Sequence, residues 1–318
     1  MPSGSSEAPA GLALTAGLWR ALTRRPEIGG RRYPPIALVV LAGLGALLLL
    51  VVATTAWRIG TDEQAYWQAA QRLAAGQPLY DPSAAPNTPF AYWYPPPLAQ
   101  VLAPFTSFVS ADAFTVAWTI VLLACLWWLA GRDVLVALAL IAFLPVAVEL
   151  RTRNVHLILA VLIVLALRRS WIFWVPAAAI KIAPALGAVY LLAAGRVREA
   201  VGVGLLGGAV LAVSYVLAPG PWGDFMSVVG ARAGTDGGAL VAIPFPVRFA
   251  VGGVLAAVAG RLGGHRGEIL LVIGLTMANP TLWATALSLL VAIVPLLRSR
   301  PGLHGQAARV PSPALAEA

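Results

Sequence analysis

The sequence predicts an all-α integral membrane protein, a multi-pass helical bundle of about 9–10 membrane segments, some short or broken, with one short helix on its outer surface. Three observations predict it. Of the 318 residues, 59% are hydrophobic and only 11% charged, at a mean hydropathy of +0.82. Soluble globular domains run at about 45–50% apolar and about 25% charged. Apolar runs recur from Ile36 to Leu297 with no interruption the size of a soluble domain. The basic residues, 21 of 22 of them arginine, sit mostly at the ends of those runs, where positive charge sets membrane orientation.

The formal charge of +9 would hint at nucleic acid in a soluble protein. Here topology explains it, and no nucleic-acid partner is expected. A single cysteine, Cys125, excludes an internal disulfide or a cysteine-built metal site. No metal and no cofactor is expected. No P-loop or GxGxxG nucleotide loop and no HExxH, GxSxG or Asp-x-Asp sugar-nucleotide motif is read in the sequence, which argues against nucleotide-dependent chemistry. Residues 1–32, rich in Ala, Gly and Ser, read as a flexible cytoplasmic tail and not as a cleaved signal, and 301–318 as a second tail. Between them, 33–300 form one membrane domain.

The first span runs from Ile36 to about Trp57 and is nearly all Leu, Val, Ala and Gly. A polar first outer loop, 58–112, follows. Within it Asp62, Tyr66, Ala69–Ala70 and Leu73 recur at helical spacing, which predicts an amphipathic helix on the membrane surface, ended by Gly76. Later apolar segments start near Ala113, Val134, Val155, Ile172, Ala200, Val247, Ile269 and Leu282. Several fall short of the roughly 20 residues a straight span needs, so they must tilt, break or re-enter.

Arg20, Arg24, Arg25, Arg31 and Arg32 precede the first span and place the N-terminus in the cytoplasm, the long loop outside, and Arg132 inside again. The Arg151–Arg153 turn then falls outside and Arg168–Arg169 inside. A straight crossing by Ile172–Ala194 would strand Arg196 and Arg198 outside. That segment holds Lys181, the only lysine, and Pro184. A break there makes two half-helices with both ends in the cytoplasm, and returns the two arginines to the inner side.

Candidate chemistry gathers at the outer side. Asp62, at the start of the surface helix, reads either as a helix N-cap or as a general base for a sugar hydroxyl. The stretch Tyr92-Trp93-Tyr94-Pro95-Pro96-Pro97 reads as an interfacial aromatic belt or as a platform for a sugar ring. Arg151 and Arg153 run against the positive-inside trend, and a lipid-linked phosphate or diphosphate would account for them, as would anionic lipid headgroups. Asn154 and His156 follow. Lys181, ionisable within a membrane segment, is functional by default, with a phosphate or a carboxylate such as Glu149 as its partner. Asn279-Pro280 and Trp283 mark the last outer turn, and Asp224 and Asp236 lie in a loop near Trp222.

In order and spacing, Asp62-x-x-x-Tyr66, Gly76-Gln77-Pro78-Leu79-Tyr80, Tyr94-Pro95-Pro96, Asn154, Lys181-x-x-Pro184 and Asn279-Pro280…Trp283 resemble glycosyltransferase family 87, over about Ile36 to Arg300. These are polyprenol-phosphate-mannose-dependent α-mannosyltransferases of the GT-C superfamily, mostly actinobacterial. The resemblance implies a GT-C-type bundle in the plasma membrane with its active site on the extracytoplasmic side. It implies an inverting transfer of mannose from a polyprenyl-phosphate donor to a glycolipid or polysaccharide acceptor among membrane lipids. Asp62 would be the base. Lys181, Arg151 and Arg153 would hold the donor phosphate, and Glu63, Tyr66, Tyr80, Tyr94, Asn154, His156 and Trp283 would contact substrate. Two departures stand out: Thr152-Arg153 where the family has Gly-Gln, and no His beside the final motif. The rival classes are a transporter or lipid flippase, suggested by the broken helix and intramembrane lysine, and a non-catalytic membrane partner.

Overall fold

The computed structural model describes residues 23–298 except 26, 29–30, 33, 56–60, 81–89, 233–239 and 242. Most of the N-terminal tail, the C-terminal tail, Arg58 and Asp236 therefore lie outside the described residues. A short antiparallel ladder, β1 (Glu27–Ile28) with β2 (Arg31–Arg32), precedes a chain that is otherwise helical among those residues. The helices are α1 (Ile36–Thr55), α2 (Asp62–Ala74), α3 (Pro96–Leu102), α4 (Ala111–Leu129), α5 (Val134–Ile141), α6 (Leu144–Thr152) and α7 (His156–Arg168). Then come α8 (Trp174–Ile180), α9 (Leu186–Ala193), α10 (Val197–Leu217), α11 (Pro219–Arg232), α12 (Phe245–Leu262), α13 (Gly264–Met277) and α14 (Ile293–Arg298), the last led in by 3₁₀ helix over Ala284–Ala292.

Four of these, α1, α4, α10 and α12, are long and apolar enough to cross a bilayer. At 20 residues α1 is about 30 Å long, the thickness of the hydrocarbon core. Most of its surface is exposed apolar side chain, as a lipid-facing helix requires. The shorter helices pack inside this frame, where neighbours satisfy their broken backbone. The segment from Val134 is one span in the sequence pattern but two helices in the fold, α5 and α6, bent by 86°. Pro145 is the cause: its ring excludes an amide hydrogen and clashes with the carbonyl four residues back, at Ile141, where α5 stops.

The break at Lys181 is present. Its backbone is extended (φ −143°, ψ 145°) and separates α8 from Pro184 and α9. In a straight helix Trp174 and Gly187 would stand about 20 Å apart. Here a side chain at Gly187 would run into the Trp174 ring, so the segment doubles back as a hairpin with Lys181 at its tip.

Two stretches read as loop are helical. Pro96-Pro97 opens α3 and Pro219-Gly220-Pro221 opens α11, so Asp224 lies on a helix. Proline in a first helical turn loses no hydrogen bond. A Gly202-x-Gly204-x-x-Gly207 spacing falls mid-way along apolar α10, with no strand before it, and is no nucleotide loop. The surface helix is also not spread on lipid. Tyr66, Trp67, Ala69 and Ala70 are buried, and Trp67 stacks on Phe114 of α4 at 4.9 Å. Its apolar face is consumed by protein.

One end of the bundle is tied by arginines. Arg168 at the C-terminus of α7 holds Glu268 through two bonds of 2.7 Å and also donates to the Leu296 carbonyl at 3.2 Å. Arg298 donates to the Ala130 carbonyl, beside Arg132. The N-terminus of α7, at His156, lies about 18 Å away at the opposite end, and there the polar side chains collect.

Candidate active site

Two consecutive acidic residues at the start of α2 meet two consecutive residues of the α6–α7 turn. The Asp62 carboxylate accepts from Asn154 Nδ2 at 2.9 Å, and the Glu63 carboxylate accepts from Arg153 Nη1 at 2.9 Å. Asp62 is the first residue of the helix, and the residue before it, Thr61, makes no side-chain cap. The carboxylate is therefore turned to a distant turn and not to its own helix, against the N-cap alternative. Burial pushes its carboxyl up from 3.8 to about 6, with Glu149 adding to the rise and the Asn154 hydrogen bond and Lys181 opposing it.

Arg153 makes this alignment possible. Its backbone is left-handed (φ 55°, ψ 47°), which ends α6 and turns the chain into α7. A side chain there costs about 1 kcal/mol or more. The compensation is a buried anchor: Arg153 Nε donates to Thr119 Oγ1 at 3.0 Å, and its carbonyl accepts from Trp118 Nε1 at 2.9 Å. With side-chain exposures of 4% and 0%, Arg153 and Glu63 form a closed pair. The Arg153 guanidinium, expected to meet a donor phosphate, is here buried against Glu63 and Thr119. Burial raises the Glu63 carboxyl, and Arg153 lowers it in opposition.

The tyrosines are buried struts. Tyr66 donates to the Tyr94 hydroxyl at 2.9 Å, Tyr94 donates to Asn154 Oδ1 at 2.9 Å, and Tyr80 donates to the Tyr94 carbonyl at 2.7 Å. The rings of Tyr66 and Tyr94 meet edge-on at 4.9 Å. Tyr66 is fully buried and Tyr80 nearly so, hence both stand behind the site and not on it. Tyr92 is likewise buried, bonding the Pro95 carbonyl at 2.9 Å, so this stretch is neither an exposed belt nor an open platform.

Beyond Tyr94 stands the hairpin tip. Lys181 Nζ lies 5.1 Å from the centre of the Tyr94 ring and 2.7 Å from His156 Nε2. His156 Nδ1 lies 3.0 Å from Glu149 Oε2, and Glu149 Oε1 also accepts from the backbone of His156 at 2.6 Å and Leu157 at 3.3 Å. Arg151 is exposed at the end of α6 and makes no ion pair among the described residues. Trp283 is 38% exposed in the turn after α13, and no bond or ring contact among the described residues ties it to Asp62, Tyr94 or Lys181. The nearby Arg248 is buried and caps the end of α13, donating to the Asn279 and Pro280 carbonyls at 2.5 and 2.8 Å.

The structure thus brings together Asp62, Glu63, Tyr66, Tyr94, Arg153, Asn154, His156 and Lys181 from five elements. Glu149 is the member that site reasoning from sequence left in a secondary role. A carboxylate inside an apolar segment, seven residues before the helix that it caps, was its signal.

Fold and site together define an integral membrane protein with a carboxylate, Asp62, and a lysine, Lys181, gathered at one end of a helical bundle. The particular family follows from comparison. The model of glycosyltransferase family 87 matches residues 92–310, more than half of the chain. The chain belongs to glycosyltransferase family 87 and is a membrane glycosyltransferase, which sets aside the transporter and flippase readings. The match includes Tyr94, Arg151–His156, Lys181 and Trp283, and begins after Asp62 and the surface helix. No curated protein and no solved structure matches the chain.

Proposed function

We propose that the protein moves a mannosyl residue from a polyprenyl-phosphate carrier to a hydroxyl of a glycolipid or polysaccharide, on the extracytoplasmic face of the plasma membrane, with inversion. Asp62 takes the proton as the acceptor oxygen attacks the anomeric carbon. The bond from that carbon to the phosphate oxygen breaks, and its electron pair leaves with the lipid phosphate. Lys181 and the exposed Arg151 face the charge that grows there, and this charge stabilisation supplies much of the rate. Glu63 and Arg153 hold the α2 turn against α6–α7, while Asn154 and Tyr94 aim the carboxylate. The outer face is favoured because the arginine-tied end of the bundle fits the cytoplasmic side.

The observation that carries this proposal is the Asp62 carboxyl, raised to about 6 and fixed by Asn154, with a lysine close enough for its charge to act on it. A base tuned near the working pH is what general-base transfer needs. The test is transfer by the purified protein from polyprenyl-phosphate-mannose to extracted cell-envelope glycolipid. Product must form without any nucleotide sugar. Transfer from a nucleotide sugar alone, or undiminished transfer by Asp62→Asn, would defeat the proposal.

A further inference from the structure

We infer that Glu149 and His156 form a buried positioning array that holds the Lys181 amine toward the donor phosphate and away from the Asp62 carboxylate; this rests on the donor-phosphate role proposed for Lys181. The donor–acceptor roles follow from chemistry. A lysine ammonium has three donors and no acceptor. His156 Nε2, 2.7 Å away, must then accept, which places the imidazole proton on Nδ1. Nδ1 in turn donates to Glu149 Oε2 at 3.0 Å. One tautomer satisfies all three groups.

Glu149 cannot swing away from this duty. It is fully buried, and its other oxygen receives the backbone amides of His156 and Leu157 at the N-terminus of α7, where a carboxylate is also favoured by the helix dipole. The array is thus anchored to backbone at one end and to the hairpin tip at the other. Lys181 itself keeps solvent access, while Glu149 and His156 have almost none. Without a fixed acceptor, a flexible four-carbon stem would be drawn to another carboxylate nearby. Asp62 is the next carboxylate near enough to feel that charge, and its bond to Asn154, which Tyr94 also holds, would compete. A Lys181–Asp62 pair would occupy the base and the phosphate ligand at once. His156 prevents it by supplying a fixed acceptor 2.7 Å from the amine.

The test measures binding of farnesyl phosphate to the purified full chain in detergent by titration calorimetry, with farnesol as the uncharged control. Lys181→Met should weaken farnesyl phosphate binding about tenfold or more and leave farnesol unchanged. Glu149→Gln should weaken it similarly: the amide turns its N–H₂ toward Nδ1, the imidazole proton moves to Nε2, and Lys181 loses its acceptor. In a Lys181→Met background, Glu149→Gln should have no further effect. His156→Gln keeps an acceptor for the lysine and should bind near the wild-type level, whereas His156→Leu should not. The Gln/Leu pair decides the matter should Glu149→Gln fail to fold. Equal losses from Glu149→Gln with and without Lys181 would show a merely structural role and overturn the inference. Undiminished binding by His156→Leu would do the same. A wild-type chain that ignores farnesyl phosphate would overturn the donor-phosphate reading itself, and this inference with it.

Discussion

Asp62→Asn tests the site from two directions at once. The substitution keeps shape and keeps an oxygen to accept from Asn154 Nδ2, now 2.9 Å from the carboxylate. It removes only charge and basicity. Loss of a general base lowers turnover by about 10²–10⁴-fold. Stability should move the opposite way. The folded carboxyl sits at about 6, against 3.8 when unhindered. At 1.36 kcal/mol per unit, about two units mean that the ionised side chain costs the native state up to about 3 kcal/mol, less whatever its partial solvent access returns. The sign follows from proton counts. Between pH 3.8 and about 6 the folded chain binds more protons at this site than the unfolded chain, so its contribution falls as pH rises through that window. Above about 6 the full cost is present, and below 3.8 it is absent. Asp62→Asn should therefore raise the unfolding temperature by a few degrees at pH 7–8, with the gain vanishing near pH 4. Thermal unfolding in detergent at four pH values, beside a transfer assay, measures both. A variant that keeps full activity and shows no pH-dependent stabilisation refutes the assignment.

Further outcomes follow from the same geometry. Transfer by the wild-type protein should fall tenfold per pH unit below about 6, because Asp62 must be ionised to take a proton; a pH-independent rate from 5 to 7 contradicts this. Breaking the closed pair by Arg153→Leu or Glu63→Gln alone should cost about 3–5 kcal/mol, whereas Arg153→Met with Glu63→Leu should recover much of it, both read by thermal unfolding. Tyr94→Phe removes the hydroxyl that orients Asn154 and should reduce turnover about tenfold; it also leaves the buried Tyr66 hydroxyl without its acceptor, so it should cost about 1–3 kcal/mol of stability, read by thermal unfolding. Gly187→Leu has no room beside Trp174 and should open the hairpin, seen as lost farnesyl phosphate binding and new labelling of an Ala183→Cys probe, buried in the closed hairpin, in a Cys125→Ser chain.

Much of the architecture was legible in composition and local pattern. Long apolar runs bounded by arginine can only be membrane helices, because lipid offers no partner to an unpaired backbone group or charge. The break at Lys181–Pro184 was legible for the same reason, since straight continuation would have stranded Arg196 and Arg198 on the wrong side. Helical spacing exposed α2, and the isolated ionisable residues Asp62, Arg153 and Lys181 gather at one end of the bundle. Periodicity, though, says which face of a helix is apolar and not which neighbour that face meets. Hence α2, expected on lipid, is packed on α3 and α4, and Tyr66 and Tyr80 lie behind the site. Only the tertiary structure decided the pairings Asp62–Asn154, Glu63–Arg153 and Lys181–His156–Glu149. Each joins helix ends, so it depends on the left-handed turn at Arg153, the bend at Pro145 and the hairpin at Lys181. Those three backbone events set side-chain direction to within a hydrogen bond, a precision that a pattern of residue types does not carry.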